Sequence, residues 1–215
     1  GQDPELMYKR LKLIHGMEID PFDPVIEGDR VLGRGSCDTK AGMAALASGD
    51  SLGAAHSFLD AAENEDLDAH IRATAYAECG DALLASNNFS DAVGIFDELL
   101  TTFRDSRHYA RALLGKGRGL FLNRQLDAAV GVFKTLQQEV QAKGLGEHWG
   151  MEAEFALLWA EEAQGRKDVL ERDIDLQGRA RGSYPEVANQ CALRIGRVHL
   201  ASEQVDKAQP LFEEI

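Results

Sequence analysis

The 215-residue chain is predicted to be all-α, a series of helix hairpins stacked side by side, and three observations predict it. Apolar residues recur at helical spacing and not in alternation. Glycine, alanine and phenylalanine recur together, with alanine twelve and phenylalanine sixteen residues after the glycine. That group itself returns about every 37 residues, which a single chance match would not do.

The elements follow in chain order. Gly1-Gln2-Asp3-Pro4 reads as an expression scar, and residues 1–40 form an arm outside the repeating pattern. Met7 to Ile14 suits a short strand or a short helix. Asp20-Pro21-Phe22-Asp23-Pro24 is extended or turned, because each proline restricts the residue before it. Val25 to Leu32 reads as a β-hairpin turning at Glu27-Gly28-Asp29. Ser36 or Asp38 is placed to cap a helix starting near Thr39.

From residue 41 onward the pattern divides into repeats at about 41–68, 73–106, 110–143, 151–180 and 189–215. The second is the most complete. Tyr76, Cys79, Gly80 and Leu83 share one face of a helix over 73–86, Asn87-Asn88 form the turn, and Val93, Phe96 and Leu100 stripe a helix over about 90–101. Gly80 and Ala92 let two backbones approach closely, and Phe96 fills the space beside them. The third repeat has Gly117, Ala129 and Phe133, with Leu113, Leu120 and a turn at 123–125. The fifth has Gly196, Ala208 and Phe212. In the first repeat a step back of 37 puts Ala55 and Leu59 in the alanine and phenylalanine places, with the turn at Gly49-Asp50 and a helix over 51–62. The fourth fits loosely, with Leu158, Gly165, Leu170 and Ile174 as its nearest equivalents. Gly144-Leu145-Gly146 reads as a helix-ending linker before Trp149.

Helix-turn-helix units with Gly or Ala at the eighth place, Ala at the twentieth and Phe at the twenty-fourth resemble tetratricopeptide (TPR) repeats. The resemblance covers about residues 41–215. It implies a right-handed superhelical array in which the first helix of each unit lines a concave groove. The pattern is divergent: the tryptophan usual at the fourth place is Tyr76, Leu113 and Ala192 here, and the closing proline is Arg104 in the best copy.

A second resemblance lies in the arm. The run from Asp20 to Ala45, DPFDPVIEGDRVLGRGSCDTKAGMAA, is similar to the metal-binding segment of the M20 metallopeptidase family, which includes acetylornithine deacetylases and carboxypeptidases. In that family the aspartate matching Asp38 bridges two zinc ions. The family's remaining machinery has no match: His15-Gly16-Met17 is not a His-x-Asp pair, and Glu63-Asn64-Glu65 is not its paired glutamates. One carboxylate cannot hold a metal centre alone. The resemblance therefore implies a fused fragment, joined at a helix through Ala47 that both parts share, with residues 20–38 a mobile or loosely packed arm.

Composition bounds the function. A net charge of −13 opposes nucleic acid and anionic membrane surfaces as partners. No apolar run approaches a membrane span. Cys37, Cys79 and Cys191 are odd in number, far apart and without metal spacing, which implies free thiols in a reducing, cytoplasmic setting. The scattered histidines carry no ligand pattern.

The candidate site is the groove. By repeat position, Arg111, Arg118 and Phe121 of the third copy, Phe155 and Trp159 of the fourth and Arg197 of the fifth face it. Guanidinium groups beside aromatic faces suit an extended peptide carrying a carboxylate. The function this implies is a protein-interaction scaffold for a peptide or partner protein, with no cofactor and no catalytic residue. Association of copies through the terminal repeat is an added expectation. The alternative is a fragment or subunit of an M20-type zinc-dependent peptidase or deacetylase, with Asp38 as metal ligand and zinc as cofactor.

Overall fold

A computed structural model describes residues 25–27, 30–32 and 36–213, with side chains from Gly42 onward. Strands β1 (Val25–Glu27) and β2 (Arg30–Leu32) pair antiparallel, Val25 opposite Leu32 and Glu27 opposite Arg30. This is the expected hairpin; its turn residues, and the expected mobility of 20–38, fall largely outside the described residues.

Helices then run as five hairpins: α1 (Ser36–Ala47) with α2 (Ser51–Glu63), α3 (Ala69–Ala85) with α4 (Phe89–Thr102), α5 (Tyr109–Leu122) with α6 (Leu126–Lys143), α7 (Glu147–Ala163) with α8 (Val169–Ala180), and α9 (Pro185–Ala201) with α10 (Val205–Glu213). Helix α1 begins at Ser36, so neither Ser36 nor Asp38 caps a helix starting near Thr39. It forms the first helix of the first hairpin without a break. Caps are local where they occur. Asp50 Oδ1 accepts the Gly53 N–H at 2.8 Å, Asp68 Oδ1 accepts the His70 N–H at 2.7 Å, and Gly144 ends α6 with φ 63°.

All five hairpins turn in the same way. One residue takes a left-handed backbone: Gly49, Asn87, Arg124, Gly165 and Glu203, with φ from 60° to 84°. The N–H that follows then bonds the carbonyl five residues back: Asp50 to Ala45, Asn88 to Leu83, Gln125 to Leu120, Arg166 to Glu161 and Gln204 to His199. This bond satisfies a carbonyl that the helix end would leave open, and it folds the next helix back on the first.

The Gly-Ala-Phe group holds four of the five pairs together. Ala54, Ala92, Ala129 and Ala208 are fully buried, and Phe58, Phe96 and Phe133 almost so. A Cβ added to Gly80 would lie 2.5 Å from Phe96, on Gly117 2.2 Å from Phe133, and on Gly196 2.6 Å from Phe212. Phe96 also reaches the next hairpin, where a Cβ on Gly115 would come within 2.3 Å of its ring. The first helices touch along the array, α3 with α5, α5 with α7 and α7 with α9, and so form one layer.

Three sequence registers need correction. In the first hairpin the glycine, alanine and phenylalanine places are Gly42, Ala54 and Phe58, not Ala55 and Leu59, because the loop between hairpins is one residue longer than a step of 37 allows; Ala55 is buried as well, Leu59 only partly, and a Cβ on Gly42 would lie 2.8 Å from Phe58. In the fourth, Leu158 is fully buried in the glycine place and Gly165 is the turn, but α8 buries Val169, Asp173 and Leu176. Ile174 is 49% exposed. One residue is missing between turn and stripe, which shifts that face by a position and puts an aspartate where the other hairpins have phenylalanine. The stripe of α4 is likewise Ala92, Phe96 and Leu99, with Val93 and Leu100 only partly buried.

Candidate groove on the first-helix layer

The groove side chains come from α5, α7 and α9, and the arginines among them differ in what they touch. Arg111 Nη1 donates to Glu78 Oε1 at 2.7 Å and Nε donates to Asp81 Oδ2 at 2.8 Å, which ties α5 to α3. Burial works against its charge, but the two carboxylates more than offset that and hold its pKa above the ordinary value. Arg118 Nη2 donates to Glu152 Oε2 at 3.0 Å, tying α5 to α7. Both arginines are thus spent on neighbouring helices. Arg197 is exposed and has no ion-pair or hydrogen-bond partner among the described residues.

The aromatic residues form a run. Phe121 and Trp159 lie with ring centroids 5.6 Å apart, and Phe155 and Trp159 at 5.9 Å, so the rings pass from α5 to α7. Phe155 is buried, whereas Trp159 is 47% exposed. Beside Trp159 a cavity of about 460 Å³ opens between α7 and α9, lined by Phe155, Trp159, Glu162, Leu193, Arg194 and Arg197. The structure therefore brings Phe155, Trp159 and Arg197 together at the cavity, with Phe121 beside Trp159, while Arg111 and Arg118 do not line it.

Sequence reasoning missed the group behind it. Arg194 is 8% exposed, its Nη2 pairs with the buried carboxylate of Asp173, its guanidinium lies 5.4 Å over the Phe155 ring, and Glu162 is 3.8 Å from its Nη1. Burial raises the pKa of Asp173 and the hydrogen bond from Arg194 opposes that rise. A signal existed: Arg194 stands two residues before Gly196, as Gly115 stands two before Gly117. A large cation at a small-residue place asks for a buried anion opposite.

Other polar groups are elsewhere. His108 Nε2 lies 3.0 Å from Thr74 Oγ1 and accepts from Arg107 Nε at 3.2 Å, and its ring stacks 6.2 Å from His70. Burial, then Arg107 and Arg111, lower its pKa to about 4. Cys79 and Cys191 are buried free thiols pushed up to about 12 by burial. A second cavity of about 510 Å³ lies among α6, α7 and α8, where Arg179 is held by Glu154 and Asp175. Asp38 lies in α1 with its side chain outside those described; among the described residues no group of three or more His, Cys, Asp or Glu is placed to hold a metal ion, and no helix is long and apolar enough to cross a membrane.

No protein-family model matches the sequence, and no curated protein matches it. Solved structures do. The chain is similar to a Q17M variant of a Podosopora anserina protein described as a kinesin light chain with nearly identical TPR-like repeats, at 16% identity and TM-score 0.63, covering 84% of this chain and 92% of that one. It is similar to MamA from Desulfovibrio magneticus RS-1, at 20% identity and TM-score 0.56, over 88% and 94%. It is also similar to the Rap conjugation gene regulator of plasmid pLS20, solved in complex with the Phr* peptide, at 16% identity and TM-score 0.66, over 99% of this chain and 63% of that one. At these identities the likeness concerns architecture, and it agrees with the five nested hairpins described above: the chain has the TPR-like helical-repeat fold.

Proposed function

We propose that the chain is a protein-interaction scaffold whose first-helix groove binds a peptide or a segment of a partner protein, with no bond made or broken. The observation that carries this is the exposed Trp159, set between Phe121 and Phe155 at the mouth of a cavity whose rim holds the unpaired Arg197. Rings give an occupant large apolar area at small entropic cost, and a free guanidinium supplies direction. A solved structure of similar architecture, Rap, holds a peptide, which supports a peptide as occupant. The buried free thiols suit a reducing, cytoplasmic setting. We further read residues 1–40 as an arm and 41–215 as the repeat domain. No observation favours the peptidase alternative.

The test is selection of binders from a random peptide library on the intact chain, followed by titration against Trp159→Ala. Trp159 is half-exposed, so the variant keeps its fold. Selected peptides are expected to bind it at least about tenfold more weakly, since a central aromatic anchor contributes on the order of 2 kcal/mol. Equal binding to both proteins would remove the groove as the site.

A further inference from the structure

Resting on the groove reading, we propose that the cavity between α7 and α9 takes one large apolar side chain of a bound peptide, and that Arg197 selects an acidic side chain next to it. The apolar half follows from the walls: Phe155, Trp159 and Leu193 present ring faces and a branched chain, and Trp159 and Leu193 are 47% and 38% exposed without an occupant. A space of about 460 Å³ holds a side chain of the largest class together with its backbone.

The acidic half follows from charge. The cavity is lined by Arg194, Arg197 and Glu162, and Asp173 behind the wall balances Arg194, so the cation an occupant meets is Arg197. Arg194 is not available to an occupant: its guanidinium nitrogens are buried, with Nη2 on Asp173 and Glu162 held 3.8 Å from Nη1. Arg111 is held by Glu78 and Asp81, and Arg118, although 47% exposed, is paired through Nη2 with Glu152. Arg197 alone among these four has no partner within the described residues, and it sits at the rim, one helical turn from Leu193. A carboxylate beside the seated side chain meets an exposed guanidinium with no internal competitor, whereas an ammonium there meets a repelling charge. Specificity for the residue beside the anchor thus resides in one arginine, not in the three that repeat position places on the groove.

The probes are short peptides acetylated and amidated at their ends, Gly-Ser-Leu-X-Gly-Ser, with X as Glu, Gln or Lys. Binding is read from Trp159 fluorescence in a Trp149→Phe background. The expected order is Glu over Gln by up to about fivefold, the upper end for a solvent-exposed ion pair, and Gln over Lys. Arg197→Glu should reverse that order, and Arg118→Glu should leave it unchanged. Glu no better than Gln on the intact chain, an order that survives Arg197→Glu, or no binding by any probe would each overturn the proposal. The library selection on Trp159→Ala is independent of these peptides, so it still decides whether the groove binds at all.

Discussion

Arg194 meets the carboxylate of Asp173 at the place where, two hairpins earlier, Phe96 packs on Gly115. The array thus makes the same inter-hairpin contact in two chemistries. In one, a ring fills the space left by glycines. In the other, Leu158 fills the first-helix side and a buried ion pair spans to the next hairpin.

Breaking that pair from one side leaves an uncompensated charge in the core. Asp173→Ala is expected to lose about 3–5 kcal/mol in urea unfolding, whereas Asp173→Leu combined with Arg194→Met should recover most of the loss, because two apolar side chains carry no desolvation penalty. A double variant as unstable as the single one would show that packing, not charge, decides the site.

Glycines of the array fall into two groups. Gly80→Ala, Gly115→Ala and Gly117→Ala push a methyl to within 2.2–2.5 Å of a phenylalanine ring and should each cost about 1–3 kcal/mol. Gly94 and Gly131 lie in α4 and α6 with nothing within 4 Å, so alanine there should stabilise by up to ~1 kcal/mol through helix propensity. Chemical denaturation of the five variants checks both signs.

His108 makes stability depend on pH. Its folded pKa of about 4 lies below the ordinary 6.5, so under acid the unfolded chain takes up the proton first. The His108 contribution is whole above pH 6.5 and is lost as pH falls from 6.5 towards 4. Part of the ring meets solvent, so the loss is about 1–2 kcal/mol after screening. His108→Gln should flatten melting temperature over that window; an unchanged slope would assign the acid limb to other groups.

Arg111 and Arg197 should separate stability from binding. Arg111→Ala strands Glu78 and Asp81 and should cost about 1–2 kcal/mol while leaving the preference for an acidic peptide residue intact. Arg197→Ala should change stability by less than about 0.5 kcal/mol and remove that preference. Thermal melts and the fluorescence titration on the same two proteins read out both.

Much of this was legible in residues alone. Gly80 with Ala92 and Phe96, and the same trio at Gly117 and Gly196, announce helix pairs because only glycine and alanine let backbones close on a ring. The hairpin at Val25 to Leu32, the turns at Asn87 and Gly144, and the free buried Cys79 and Cys191 followed from local chemistry. The aromatic groove candidates Phe121, Phe155 and Trp159 followed from repeat position.

Local pattern could not show how each charge would be used. Arg111, Arg118 and Arg197 are equivalent as residue types at groove places, yet the first two are neutralised by Glu78, Asp81 and Glu152 from other helices and the third is not. Nor could a fixed period reveal the one-residue shifts that bury Phe58 and Asp173, since loop length changes which face meets the core. Helix pairing is written in short spacings along the chain, whereas ion pairing across hairpins depends on side chains 20 to 35 positions apart, and only the stacked fold brings those within reach.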